Sequence, residues 1–423
     1  MLKKIIEKYK NKDVLILMLG TVISQAVPLL ASFILTRIYT PNDFGLFQVY
    51  FSVSMILSVA VTFRYEMAIM LPEKEDDSRH VLVLSCLISL VFSIFIFLLV
   101  LIFRDQFSIL LKQPSLKDSF FILPFTILVI GFYQSLNYWS NRNKYYKQLS
   151  ISRINRSLNS SFLSVLFGFI PWLKKIGLIL GDTLGQAIST FFLAWRILKK
   201  DPNLFKNIKK DKIKELAKRY KQFPLYNVPS GFLEKLSGNL PSLMLTPFFG
   251  VGVVGLFSLS QRMISLPGSV VARSIGDVFR QNATELYIKE NNCKLLFLKT
   301  LKKLSILSIP PFVVLFFIVE ELFAFVFGEA WREAGTFAQI LMPMFLLQFI
   351  VSPLSIMFLV AEKQKLDFIL QIFLFLSIIS VLYFGYIFFK DAKITIALYS
   401  FIYSMKYIVE FSLSYKFSKG LKS

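Results

Sequence analysis

Long apolar runs alternate with short polar turns along this whole chain, and the length of the runs is the informative quantity. A hydrocarbon core of about 30 Å, crossed at about 1.5 Å per residue, takes roughly 20 residues. Runs of that size fall near 14–38, 44–70, 81–103, 119–140, 151–171, 176–198, 223–249, 255–279, 304–326, 335–360, 366–389 and 394–415. Apolar and polar residues do not alternate at period two within them, which excludes the short segments of a membrane β-barrel. The pattern predicts an all-α polytopic membrane protein of about twelve helices. The first run follows Lys3, Lys4, Lys8, Lys10 and Lys12, is too long for the core of a signal peptide, and is expected to stay as the first span.

Composition adds orientation. Hydrophobic residues make up 55% of the 423 and the mean hydropathy is +0.61, outside the range of a soluble domain of this size. The 48 Lys and Arg against 26 Asp and Glu give a net charge of +22. With the N-terminus inside, inner segments and inner span ends hold 33 of those cations and the outer loops 8, which places both termini in the cytoplasm by the positive-inside rule. Topology and attraction to anionic lipid account for the excess charge, so nucleic acid is not expected as a partner. Cys86 and Cys293 form neither a CxxC pair nor an evident disulfide, and no Gly-rich phosphate loop occurs. His80, the single histidine, sits beside Arg79 in a charged loop and reads as solvated. No metal, cofactor or catalytic residue is expected.

The longest inner loop, 199–222, is basic, and Ile213, Leu216, Ala217 and Tyr220 recur in it at helical spacing, which predicts an amphipathic helix on the inner leaflet. It separates an N-terminal bundle, 1–198, from a C-terminal bundle, 223–423, with six spans each. LTRIYTPNDFGLF (Leu35–Phe47) and LTPFFGVGVVGLF (Leu245–Phe257) align without a gap at an offset of 210 residues. Both copies enter from the same side, so the repeat is parallel. Two pseudo-symmetric six-helix bundles, a central cavity and alternating access follow as expectations.

Seven cations, Arg37, Arg64, Arg156, Lys235, Arg262, Arg273 and Lys406, lie inside or at the ends of spans. Each costs on the order of 3 kcal/mol near mid-membrane unless it faces a polar interior, a counter-ion or an anionic substrate. The acids in the spans are fewer, chiefly Glu66, Asp182, Glu234, Asp277 and Glu410, so the sign favours an anionic cargo. Lys235 and Glu234 lie about 17 Å in from the inner face and Arg262 about 10 Å in from the outer one. Lys235 and Arg262 have no evident same-face acid at i+4, and are the foremost candidates for phosphate contacts. Arg273 with Asp277, and Lys406 with Glu410, are candidates too, or self-neutralising pairs that join helices. Arg37, Arg64 and Arg156 lie near span ends, where they reach substrate or snorkel to headgroups. Glu66 and Glu234 are candidate coupling carboxylates, with Asp277 and Glu410 as further coupling or counter-ion groups. Asn137, Tyr138, Trp139, Asn155, Asn159, Gln186, Asn239 and Gln261 are candidate sugar contacts that helix packing explains equally well. Gly250, Gly252, Gly255, Pro28, Pro229 and Pro241 are candidate bending points.

Three stretches carry a resemblance to a known family: TRIYTPNDFGLFQVYFS (Thr36–Ser52), RYEMAIMLPEKEDDS (Arg64–Ser78), and Phe223–Pro267 with its FP, PS, LP, GLF and QRxxxLP elements. Together they resemble the polysaccharide-transporter branch of the multidrug/oligosaccharidyl-lipid/polysaccharide exporter superfamily, in particular O-antigen and capsule flippases of the Wzx type. GLILGDTLGQAIS (Gly177–Ser189) is a weaker likeness, because Asp182 stands where such flippases often carry a basic or neutral residue. The resemblance implies a fold like that of the multidrug (MATE) exporters. It also implies movement of an undecaprenyl-diphosphate-linked oligosaccharide from the inner to the outer leaflet of the bacterial cytoplasmic membrane, without enzymatic chemistry. The implied partners are that lipid-linked substrate, membrane lipids, and polymerase and chain-length proteins, with the chain itself a monomer. A multidrug exporter of the same superfamily and a membrane polysaccharide polymerase or ligase are the alternatives. The short outer loops, the longest near 104–118, weigh against the latter, and a peptidoglycan-precursor flippase is expected to have two further spans.

Overall fold

A computed structural model describes residues 12–420; Lys3, Lys4, Lys8 and Lys10, and the last three residues, lie outside the described residues. Among these no strand occurs, and each of the twelve expected runs holds one of twelve long helices, although the second run, 44–70, is broken after Leu57. They are α1 (Lys12–Ile38), α2 (Pro41–Leu57), α3 (Glu75–Leu110), α4 (Leu123–Arg142), α5 (Tyr146–Gly168), α6 (Lys174–Lys200), α7 (Val228–Phe249), α8 (Val251–Pro267), α9 (Lys294–Phe327), α10 (Arg332–Val351), α11 (Gln364–Phe384) and α12 (Ala392–Ser418). The eighth run continues through a π-helical turn, Gly268–Ala272, into the helix Arg273–Glu290. Length and composition alone qualify eight of the twelve as membrane-crossing, and α2, α5, α7 and α8 fall outside that criterion. The fold is that of an all-α polytopic membrane protein.

Local chemistry sets the ends. Thr40 caps α2 in a reciprocal capping box with Asp43, and Pro41 occupies the first turn, where no backbone donor is needed. Gly250 closes α7 with φ 87° and Gly328 closes α9 with φ 105°, conformations that a side chain disfavours. The polar α5 is held among its neighbours by small residues: a Cβ on Gly181 or Gly185 of α6 would collide with the Ser164 or Ser160 backbone of α5, and Gly20 of α1 stands equally close to Ser150. Close backbone approach and the Ser152–Ser189 hydrogen bond of 2.9 Å replace the hydrophobic drive that a lipid solvent does not supply.

The helix bounds repeat. Pro41–Leu57 and Val251–Pro267, both 17 residues, are offset by 210 positions, and Leu123–Arg142 and Arg332–Val351, both 20 residues, by 209. Lys174–Lys200 and Ala392–Ser418, both 27 residues, are offset by 218. The offset jumps between α10 and α11, where 352–363 stands in the place of the three-residue turn 143–145. Three helix pairs of equal length thus recur, in keeping with a repeated six-helix unit whose second copy is nine residues longer between α10 and α11. By backbone packing the chain divides into compact units Met1–Val251 and Gly252–Ser423, so α7, the first helix of the second copy, is counted with the first unit.

Two expectations about the inner segments are corrected. The helix Lys210–Arg219 buries its apolar face against protein: Leu216 and Tyr220 join a core with Tyr65, Ile69, Val81, Leu82 and Trp139. Its stripe is therefore not free for the leaflet, and its basic face, with Lys214, Lys218 and Arg219, is exposed. His80 is not solvated but 1% exposed. Its Nδ1 lies 2.7 Å from the Asp76 carbonyl, and its Nε2 accepts a hydrogen bond of 3.1 Å from the Lys209 backbone N–H, fastening the linker to the start of α3.

Candidate functional site

In the first unit the charged groups gather where α2 ends. The chain turns through Ser58–Arg64 before the one-turn helix Tyr65–Ala68, with Phe63 at φ 48° and Arg64 at φ 62°. Left-handed backbone at two consecutive bulky residues is strained and persists where the surroundings impose it. The break also leaves carbonyls to be satisfied, and Gln134 of α4 donates to that of Ser58 at 3.3 Å.

Across this break lies the RYE sequence. Glu66 is 1% exposed; it accepts a hydrogen bond from the Thr62 hydroxyl and pairs with Arg64 Nη1 at 3.7 Å. Arg64 Nη2 lies over Gly231 of α7, and a Cβ there would occupy the guanidinium's place. Tyr65 donates to the Ala217 carbonyl of the linker helix at 2.9 Å. One short motif thus ties α2, α7 and the linker together.

The remaining predicted groups of this unit are placed apart from it. Arg156 of α5 pairs with Asp182 of α6 at 3.9 Å, so it is neutralised inside the unit and the departing Asp182 has a use as counter-ion. Lys235 is not unpartnered: its ammonium stands 3.8 Å from Glu234, its neighbour in sequence, and both side chains are well exposed. Arg37 is exposed in the last turn of α1. Of the proposed sugar contacts, Trp139 is a core residue with no exposed surface, whose indole donates to Asp201. Asn159 bonds to Asn155, and Asn141 to Asn137, each one turn back along its helix. Gln186 is buried against Thr190, and Asn239 donates to the Lys235 carbonyl.

In the second unit four predicted residues come together around two adjoining cavities. Lys406 and Glu410, one turn apart on α12, form an ion pair of 2.8 Å, and Glu410 is 3% exposed. The Lys406 ammonium also lies 4.4 Å from the centre of the Tyr407 ring. Both residues line a cavity of about 490 Å³ with Gln364, Asp367 and Gln371 of α11. Arg273 and Asp277, with Arg280, line a second of about 350 Å³ against Phe312, Phe345 and Phe349. Gln348, Ser352 and Ile356 belong to both walls. The described ion pairs include Lys406–Glu410 but not Arg273–Asp277, which face one cavity together instead. Arg262 is exposed on α8, where Gln261 beside it bonds to the Tyr399 hydroxyl at 3.5 Å. Sequence reasoning missed Arg280, Gln348, Gln364, Gln371 and Asp367, of which Gln364, Asp367 and Gln348 lie in the first or last turn of a helix, where polar residues are ordinary. For Arg280 a signal existed, because at i+7 from Arg273 it returns to the same helix face.

Polar cavities within membrane helices, a helix broken at a buried charged motif, and a duplicated six-helix unit define a transporter of the multidrug/oligosaccharidyl-lipid/polysaccharide exporter type. Solved structures agree on the fold. An inward-facing multidrug resistance MATE family transporter of that superfamily matches with a TM-score of 0.72 at 15% identity, over 92% of this chain and 93% of its own. The lipid II flippase MurJ, inward closed, matches with a TM-score of 0.72 at 14% identity, over 96% of this chain and 90% of its own. In sequence, the teichuronic acid biosynthesis protein TuaB of Bacillus subtilis (strain 168) is 22% identical over 155 residues, 36% of this chain and 31% of that protein, so the match spans about a third of the relative's length. Residues 34–336 match the polysaccharide biosynthesis protein family, and the chain belongs to that family.

Proposed function

We propose that this transporter moves an undecaprenyl-diphosphate-linked oligosaccharide repeat unit from the inner to the outer leaflet of a bacterial cytoplasmic membrane, for O-antigen, capsule or a related polysaccharide. The observation that carries the reading is the pair of adjoining cavities in the second unit, the smaller with Arg273 and Arg280 against one acid, Asp277, and the larger with amides and hydroxyls around the Lys406–Glu410 pair and Asp367, in a chain of the polysaccharide biosynthesis family. Guanidinium and ammonium groups suit a diphosphate, and amides and hydroxyls suit a glycan. Arg64, Arg37, Arg156, Lys235 and Arg262 are further candidates for contacts along the path, with Arg156 and Lys235 demoted by their ion pairs.

Transport is coupled, in this reading, to an ion gradient through an acid in the membrane. Glu66 is the better candidate: it is buried, and its counter-ion is reachable by an anionic substrate. Glu234 is exposed beside Lys235 and fits the role less well. Asp277 and Glu410 act as counter-ions in the cavities of the second unit. Glu66→Gln is expected to abolish dependence of transport on the pH gradient, and unchanged dependence would exclude this carboxyl. Polymerase and chain-length proteins are the expected downstream partners of a monomeric carrier.

The decisive test is deletion of the gene in its host with leaflet-resolved mass spectrometry of lipid-linked glycans. Accumulation of complete single repeat units facing the cytoplasm, with loss of surface polysaccharide, is the expected result. Units that still reach the outer face would favour a multidrug exporter or a polymerase.

A further inference from the structure

Between α4 and α5 the first copy has the three-residue turn 143–145, and at the equivalent place the second has the twelve residues 352–363, so the second copy is nine residues longer there. This segment is built into the unit: Leu354, Met357 and Phe358 are buried with Phe279, Phe297 and Phe417. Pro353 packs on Gly276 so closely that a Cβ there would stand 3.3 Å from the Pro353 Cα. Ala361 joins the same core, and Ile356 and Val360 pack against it. Ser352 and Ile356 line both cavities, and Ser355 lines the larger.

The two cavities differ in charge. The smaller has Arg273, Asp277 and Arg280, which stand at i, i+4 and i+7 along one face of one helix, two cations to one acid. The larger has Lys406 already paired with Glu410, a second acid in Asp367, and Gln348, Gln364, Gln371 and Tyr407. The first suits a doubly charged anion, the second a neutral polyhydroxylated group, since amides both donate to and accept from hydroxyls and carboxylates accept from them.

We propose that the two cavities are one two-part site for the polar end of an isoprenyl-diphosphate-linked sugar, with the diphosphate on Arg273 and Arg280 and the first sugar against Gln348, Gln371 and Tyr407. The added segment 352–363, through Ser352 and Ile356, holds the two parts at the spacing of the diphosphate–sugar bond. This rests on the flippase reading given above and adds to it the orientation of the cargo and the source of its selectivity.

The test uses the full-length protein in nanodiscs, with binding read by native mass spectrometry. The probes are farnesyl diphosphate and the polyprenyl-diphosphate glycan trapped by the deletion strain. The double variant Arg273→Ala/Arg280→Ala is expected to weaken both probes about tenfold or more, the size expected for lost charge-assisted bonds, and Arg273→Lys/Arg280→Lys to recover part of the loss. Gln371→Leu, in the larger cavity alone, is expected to weaken the glycan probe and leave farnesyl diphosphate unchanged, and Ser352→Phe, which fills the wall shared by both cavities, to weaken both probes. Farnesyl diphosphate binding that is the same in wild type and the double alanine variant, or absent from both, overturns this site. If the deletion strain still traps inward-facing lipid-linked units, such a result removes the site alone and the flippase reading stands. If no units are trapped, the reading itself falls.

Discussion

Arg64, partly exposed, is the counter-ion that holds the buried Glu66 carboxylate in place. Removing the cation leaves a carboxylate that is almost fully buried, and breaking such a pair is costlier than replacing it whole. Arg64→Ala is therefore expected to lower stability in detergent by about 3 kcal/mol, and Arg64→Ala/Glu66→Gln to recover a good part of it, read by thermal unfolding of both variants. Gly231→Ala is the steric counterpart: its methyl group displaces the guanidinium and should lower surface polysaccharide in a complemented deletion strain while leaving the charge intact. At this scale sequence spacing found Lys406–Glu410, because the partners share one helix and i,i+4 geometry is local. It missed Arg156–Asp182 and the Arg64–Gly231 contact. Those join different helices, and which helices meet is not a local property.

At the scale of elements, the linker is tied down by specific groups. His80→Phe leaves the Lys209 N–H without its acceptor and should speed amide exchange over 203–220, whereas His80→Gln, whose amide oxygen can accept, should preserve protection; hydrogen exchange distinguishes them. Leu216→Asp should destabilise the protein by about 3 kcal/mol or more, and Lys214→Glu on the exposed face by little, compared by thermal unfolding. The amphipathic character of this helix was legible in the sequence. What its apolar face covers was not, since lipid and a protein core are equally apolar partners.

For the whole molecule, orientation is the open quantity. In a Cys86→Ser/Cys293→Ser background, a cysteine at Lys112 should react with an impermeant maleimide in intact cells and one at Lys206 only after permeabilisation; the reverse pattern would invert the topology. The duplication was visible in sequence over one stretch only, around Leu35–Phe47 and Leu245–Phe257. The helix bounds add three pairs of equal length, α2 with α8, α4 with α10 and α6 with α12, because membrane thickness conserves helix length while side chains facing lipid are free to change.

The sequence by itself determined the number of spans, their order, the sign of the intramembrane charge and the family likeness, since hydropathy over a span and short motifs are sums over neighbouring residues. Tertiary structure alone decided which charges are neutralised, that the helix break sits at the RYE motif, and that Arg273, Asp277, Lys406 and Glu410 meet around two cavities with a wall from 352–363. Those outcomes depend on which helix faces pack together. A lipid solvent makes the apolar faces nearly interchangeable, so close contacts of small residues and a few polar bonds choose among them.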